Sequence, residues 1–286
     1  MTAVFLSAVL HAVWNYLLRR AGGDTIVAAL AIVFEGILLV PVAAFAWHAS
    51  GGADLVLFIP AVVLAAALAL ANYAALMAAY RRADMSLVYP VARGGVFLFL
   101  PAAGAVVFGE RLNGRGWLSL GLIMAGIALL PLPRLDRQSF LDLGRHLRDG
   151  ATVFALLAAA ATAGYTIWDK YAIQRFDTTL YFAGYSILLA CWFAGVLART
   201  PRADVRRQAN THRTAILWIG ACLAVSYLLV LFALRDGITT QVLAVRQLSI
   251  PIGVILGWRL LREPLALPRA LGAAAITAGC LLAAAM

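Results

Sequence analysis

Ten apolar runs, each close to the length a helix needs to cross a bilayer, take up nearly all of this chain: roughly residues 3–18, 26–47, 55–79, 86–108, 115–131, 151–172, 178–198, 214–234, 238–260 and 267–285. A span requires about 20 mostly apolar residues, so little is left between the runs for a soluble domain. The strands of a membrane barrel would alternate in polarity over about ten residues, whereas a stretch such as Ala61 to Ala71 is apolar on every face. The chain is therefore expected to be an all-α polytopic membrane protein with ten transmembrane helices. Residues 1–18 lack a basic start and end in Arg19-Arg20, the reverse of a secretory leader, so this segment is expected to remain as the first helix.

A net charge of +10 would suggest nucleic acid in a soluble protein, but here the basic residues fall mostly between the apolar runs. The positive-inside effect accounts for them there, and the bilayer rather than nucleic acid is the expected partner. Alternate connections carry sixteen Lys and Arg on one side and five on the other, which places both termini outside. Cys191, Cys222 and Cys280 all sit in apolar runs without metal-binding or redox spacing and are expected to be small core residues.

The chain also repeats itself. Arg93 is followed 17 residues later by Glu110-Arg111-Leu112, and Arg246 is followed 17 residues later by Glu263-Pro264-Leu265, at a constant offset of 153. The same offset pairs Arg82 with Arg235, Met85 with Ile238, Ser86 with Thr239 and Gly126 with Gly279, while Trp14-Asn15 pairs with Trp168-Asp169 at 154. Residues 1–133 thus form one five-helix repeat and 151–286 a second, joined by a polar linker at 134–150. An odd number of helices per repeat turns the second copy upside down in the membrane, giving inverted repeats suited to alternating access.

Charged and polar groups inside the spans are the candidate site. An arginine at the centre of a membrane helix costs from about 2.5 to more than 10 kcal/mol, so the duplicated Arg93 and Arg246 point to an anion-binding role, their planar forks suiting carboxylate or phosphate. Arg93 lies in Tyr89-Pro90-Val91-Ala92-Arg93-Gly94-Gly95, where a proline and two glycines predict a bent or broken span lining a cavity. On the first helix Ser7, His11 and Asn15 share one face, and on the sixth Thr162, Tyr165, Thr166 and Asp169 recur at helical spacing. These groups either bind substrate or join helices by hydrogen bonds. Glu35, about ten residues into the second helix among Ile32, Val33, Phe34, Ile37 and Leu38, is either the counter-ion of an arginine or of His11, or a titrating group that couples transport to protons. The expected substrate-binding residues are Arg93, Arg246, Trp14, Asn15, Tyr89, Trp168 and Asp169, with Glu35 and His11 in coupling or gating. Gly121/Ala125 and Ala275/Gly279 have small-xxx-small spacing and are expected to pack helices or form a dimer seam rather than a site.

No hydrolase elbow, zinc-protease helix or phosphate loop occurs, so no catalytic, metal or cofactor site is expected. Gly109-Glu110-Arg111-Leu112 and its second copy Arg262-Glu263-Pro264-Leu265 resemble the signature of EamA-type members of the drug/metabolite transporter superfamily, and His11-Ala12-Val13-Trp14-Asn15 is similar to the start of one bacterial subgroup. The resemblance implies secondary transport of a small metabolite through a central cavity in a bacterial inner membrane, often export, by a monomer or homodimer. Sugar-phosphate members use basic residues on the fourth and ninth helices, where Arg93 and Arg246 fall. An amino acid or related carboxylate is the expected substrate; an organic cation held by Glu35, and a membrane-embedded enzyme or structural subunit, are the alternatives.

Overall fold

The computed structural model describes residues 1–83, 85–146 and 150–286, with the backbone alone at 85–87, 90, 140 and 143–146. The side chains of Met85, Ser86, Pro90, Arg145 and His146, and all of residues 147–149 in the expected linker, thus lie outside the described residues. Among those described, every regular element is a helix: α1 (Thr2–Arg20), α2 (Thr25–Ala49), α3 (Leu55–Tyr80), α4 (Met85–Phe108), α5 (Gly114–Leu129), α6 (Arg137–His146), α7 (Gly150–Ile173), α8 (Thr178–Ala198), α9 (Arg202–Asp236), α10 (Thr239–Arg246), α11 (Ser249–Leu260) and α12 (Leu267–Ala284). Eight segments, with Thr239–Leu260 counted as one, are long and apolar enough to cross a membrane, and Gly114–Leu129 is a shorter apolar helix. Large apolar side chains remain uncovered along these helices, Phe45 at 73%, Val56 at 79% and Val106 at 85% exposure. Surfaces of that kind suit lipid rather than water.

Four features depart from the sequence reading. The connection between the halves holds a helix, α6, started by Asp136, whose carboxylate accepts the Ser139 N–H at 2.8 Å; that backbone bond, joined by the Ser139 hydroxyl, holds the Asp136 carboxyl below the usual carboxylate range. The eighth span begins at Arg202, twelve residues before its apolar part, because helix formers extend it outward to a kink at His212 (φ −117°, ψ 19°). Span four is not broken at Arg93. Its glycines are used for approach: a methyl added at Gly95 would lie 3.0 Å from Ala159 Cβ and 3.1 Å from Leu156 Cδ2 of α7, and an interior glycine costs a helix only about 1 kcal/mol. The break falls in the other half, at Gln247-Leu248 between α10 and α11. Pro251 explains the place, since its ring excludes the carbonyl four residues back, that of Gln247, which instead accepts the Ile250 N–H at 2.9 Å. Cys222 and Cys280 are buried as expected, but Cys191 is exposed, because it lies on the outer face of α8 next to Trp192, itself 57% exposed.

The helices gather into two compact units, each drawing on both halves of the sequence: residues 2–67 with 169–235, and residue 1 with 68–168 and 236–286. In the second of these, α5 and α12 meet backbone to backbone. A methyl at Gly126 would lie 2.6 Å from the Gly272 carbonyl oxygen and one at Gly279 2.8 Å from that of Ser119, while the Ser119 hydroxyl donates to the Gly279 carbonyl at 2.7 Å. The two glycine contacts are each other's images at the 153-residue offset: Gly126 pairs with Gly279 and Ser119 with Gly272. Small residues do pack these helices, but on a different stripe from Gly121 and Ala125, which are exposed.

In the other unit, α2 is the element against which α8 and α9 close. Gly36 lies against Ala190 of α8, and a methyl at Gly220 of α9 would be 2.7 Å from the Ala31 carbonyl oxygen and 3.3 Å from the Glu35 nitrogen. Further along, α1 is tied to α9: the Ser7 hydroxyl donates to the Ser226 carbonyl at 2.7 Å, and the Ser226 hydroxyl donates back to the Ser7 carbonyl at 3.0 Å. Interhelical hydrogen bonds inside membrane proteins average about 0.6 kcal/mol, with about 1.7 at the top. Ser7→Ala and Ser226→Ala are each expected to lower unfolding stability in detergent within that range, and wild-type stability in both would show that the pair does not join the helices.

Candidate functional site

The carboxylates that stand out in the apolar sequence belong to the unit built on α1, α2, α8 and α9. Glu35 is brought into the interior by two close glycine approaches, Gly36 on one side and Gly220 on the other, and is only 9% exposed. Among the described residues it makes no hydrogen bond or ion pair. Asp169, on α7 and 2% exposed, has both oxygens engaged: Tyr181 donates to Oδ1 at 2.7 Å and Tyr227 to Oδ2 at 2.5 Å. Both tyrosines belong to an aromatic group with Tyr185 and Phe182. Ring centres lie 5.5 Å apart for Tyr181 and Tyr185, 5.6 Å for Phe182 and Tyr185, 6.0 Å for Phe182 and Tyr227, and 6.2 Å for Tyr185 and Tyr227. The Tyr185 hydroxyl feels both Asp169 and Glu35 electrostatically. Two acidic groups and four rings therefore share one region of this unit.

His11, Trp14 and Asn15 lie on α1 in the same unit and satisfy one another locally. The Trp14 indole donates to His11 Nδ1 at 3.3 Å with the rings edge to face, and the Asn15 amide donates to the His11 carbonyl at 2.7 Å. Trp14 also packs against the cluster of Ala21, Val27, Ala31, Ile216 and Ile219. The one-face reading of Ser7 and His11 is right, for both are buried, yet Ser7 serves as helix-joining glue.

The arginines, with Tyr89 and Trp168, lie in the unit built on α4, α5, α10, α11 and α12. The Arg93 guanidinium stands over the Tyr89 ring, 5.5 Å from its centre, and Tyr165 and Tyr80 also act on it electrostatically. Tyr89 and Arg93 thus meet one turn apart on α4. Arg246 is the last residue of α10, immediately before the break, and is half-buried, as is Trp168. Thr162 receives the Asn72 amide at 2.8 Å and Thr166 donates to the Thr162 carbonyl at 2.7 Å, so both threonines join or stiffen helices. Tyr181, Phe182, Tyr185 and Tyr227 are not among the site residues expected from the sequence. Only the twelve-residue interval from Asp169 to Tyr181, across a short turn between two apolar runs, hints that the two could meet.

Helices of this length and apolarity, with lipid-suited outer faces and buried acidic and basic groups, define a polytopic helical membrane protein. Residues 150–285 match the EamA-like transporter family, which supports the EamA-type resemblance carried by the two Glu-x-Leu segments. A solved crystal structure has the same fold at a TM-score of 0.76 and 15% identity, over 99% of this chain and 95% of that one. Spermidine export protein MdtI of Shigella flexneri is 39% identical over 70 residues, and that of Klebsiella pneumoniae (strain 342) likewise 39% over 70. In both cases the match takes in 24% of this chain and spans 64% of the relative's length.

Proposed function

We propose that this protein is a membrane transporter that exports a small polar metabolite carrying an amine. The observation that carries the reading is the pairing, in one unit, of a buried Glu35 that makes no ion pair among the described residues with an Asp169 held by two tyrosines. A buried carboxylate without a cation is costly, and a substrate ammonium or a proton relieves the cost in turn. Exchange between those two is the coupling that Glu35 would provide. The spermidine export proteins, similar over part of the chain, act on such an amine by their name. The sequence repeat, with five spans in each copy, favours alternating access.

The reading is tested with purified protein in liposomes under a pH gradient, following labelled putrescine, spermidine and neutral amino acids. Amine flux is expected to fall at least tenfold in Glu35→Gln and to persist in Arg93→Ala. Flux that survives Glu35→Gln would overturn the role of Glu35.

A second reading keeps the transporter and gives it an amino acid or related carboxylate, with Arg93 and Arg246 binding the anion. It is favoured by two half-buried arginines at positions matched by the 153-residue offset, Arg93 standing over the Tyr89 ring. Carboxylate flux lost in Arg93→Ala and Arg246→Ala, with amines untransported, selects it.

A further inference from the structure

The two Glu-x-Leu segments share a backbone device that the sequence repeat alone does not reveal. At the end of α4, Gly109 takes a left-handed conformation (φ 67°), and at the end of α11 its counterpart at the 153-residue offset, Arg262, does the same (φ 57°). An arginine there is strained where a glycine is not, so the second copy keeps the turn at a cost the first does not meet. After each turn the glutamate N–H reaches back to a glycine carbonyl: Glu110 to Gly104 and Glu263 to Gly257, both at 3.2 Å. The glutamate side chain then folds over that same glycine. A methyl at Gly104 would lie 2.6 Å from Glu110 Oε2, and one at Gly257 would lie 3.0 Å from Glu263 Oε2.

The folded-back carboxylate of Glu110 has a distant target. Its Oε1 accepts the Thr239 N–H at 2.9 Å and the Thr239 hydroxyl at 2.6 Å. Thr239 is fully buried and is the first residue of α10, whose own N-cap position, Ile238, supplies no side-chain hydrogen bond. Glu110 therefore caps a helix 129 residues away, and that helix ends at Arg246. A carboxylate at a helix N-terminus meets both the open N–H groups and the positive end of the helix dipole.

We propose that the duplicated glutamates are reciprocal positioning residues: Glu110 caps the span that carries Arg246, and Glu263 caps the N-terminus of α4, the span that carries Arg93. The shared turn, the shared glycine seat and the match of Thr239 with Ser86 at the same offset place Glu263 in the equivalent role. Each half of the chain then fixes the start of the other half's arginine helix. The connection also requires the end of α4 and the start of α10 to lie together, so the two spans run in opposite directions as an inverted repeat demands.

Hydrogen exchange read by mass spectrometry on the full-length protein in detergent tests this without reference to any substrate, and so fails or succeeds independently of the transport reading. In Glu110→Ala, amides of 239–246 are expected to exchange about ten-fold faster, as befits loss of a charge-assisted bond, with peptides from α8 unchanged. Glu110→Gln, which keeps a carbonyl acceptor, should restore most of the protection. Glu263→Ala should accelerate the first turns of α4 and leave α10 alone. Should Glu110→Ala fail to fold, Thr239→Val carries the test, with about threefold faster exchange confined to 239–246. Wild-type exchange in α10, or acceleration spread evenly over all helices, overturns the capping role of Glu110; an unchanged α4 in Glu263→Ala overturns its reciprocity.

Discussion

Gly126→Val is expected to abolish recovery of folded protein from detergent, while Gly121→Val, five residues away on the same helix, leaves recovery and melting temperature unchanged. The contrast arises from the atoms each side chain would meet. At Gly126 the first added carbon would stand 2.6 Å from the Gly272 carbonyl oxygen and 2.9 Å from the Ile276 nitrogen, both backbone atoms of α12, whereas at Gly121 nothing lies within 4 Å. Over-packing usually costs about 1–3 kcal/mol because neighbouring side chains can shift; here a whole helix would have to move, and the Ser119 bond to Gly279 would go with it. A loss beyond that range approaches the total stability of many proteins, about 5–15 kcal/mol. Size-exclusion chromatography of the two variants decides the matter. A monodisperse Gly126→Val peak of wild-type yield would mean that α5 and α12 do not touch at this point.

The second large effect is expected at Asp169. Asp169→Ala removes the acceptor of two tyrosine hydroxyls, one of them on the fully buried Tyr181. Interhelical hydrogen bonds inside membrane proteins reach about 1.7 kcal/mol each and the two hydroxyls are left without their acceptor, so the loss should be about 3 kcal/mol. Asp169→Asn keeps one carbonyl oxygen and should lose about half as much. Tyr181→Phe breaks a single bond without creating a cavity and should fall near the asparagine variant. Thermal unfolding of the three in detergent gives the order directly. Equal stability for alanine and asparagine would mean that one tyrosine bond carries no weight.

The spans were legible because the hydrocarbon imposes a length and a composition on each, and a chain that is apolar on every face of a helix can be little else. The 153-residue repeat was legible for a similar reason: Arg93, Glu110, Gly126 and their partners are conspicuous among alanines and leucines. Less legible was anything that depends on which face of a span meets a neighbour. Gly121 and Gly126 look alike in sequence, yet only Gly126 faces α12. Proline signals were ambiguous, since Pro90 and Pro251 read alike and the break followed only the second. Glu35 and Asp169 declared themselves by charge, but their tyrosine company arises from α8 and α9, whose polar atoms are few and widely spaced. The role of Glu110 was hidden because its target lies in the other half, joined to it only by the fold.

The length of α9 bears on how this protein can be studied. Its 35 residues are two helical stretches that meet at the kink at His212; the stretch after the kink rises about 35 Å, enough for the roughly 30 Å of a hydrocarbon core, and the polar stretch before it is surplus. That surplus is anchored, because the Gln208 amide donates to Asp24 at 2.6 Å, and Asp24 in turn caps α2. A 30.5 kDa protein with short connections gives a microscope little to align on once wrapped in detergent. A helical fiducial grafted at Thr200-Pro201, in register with Arg202, would stand on a strut already braced against its neighbour, and a fluorophore at Arg206 would tell by quenching which side of the bilayer that strut faces.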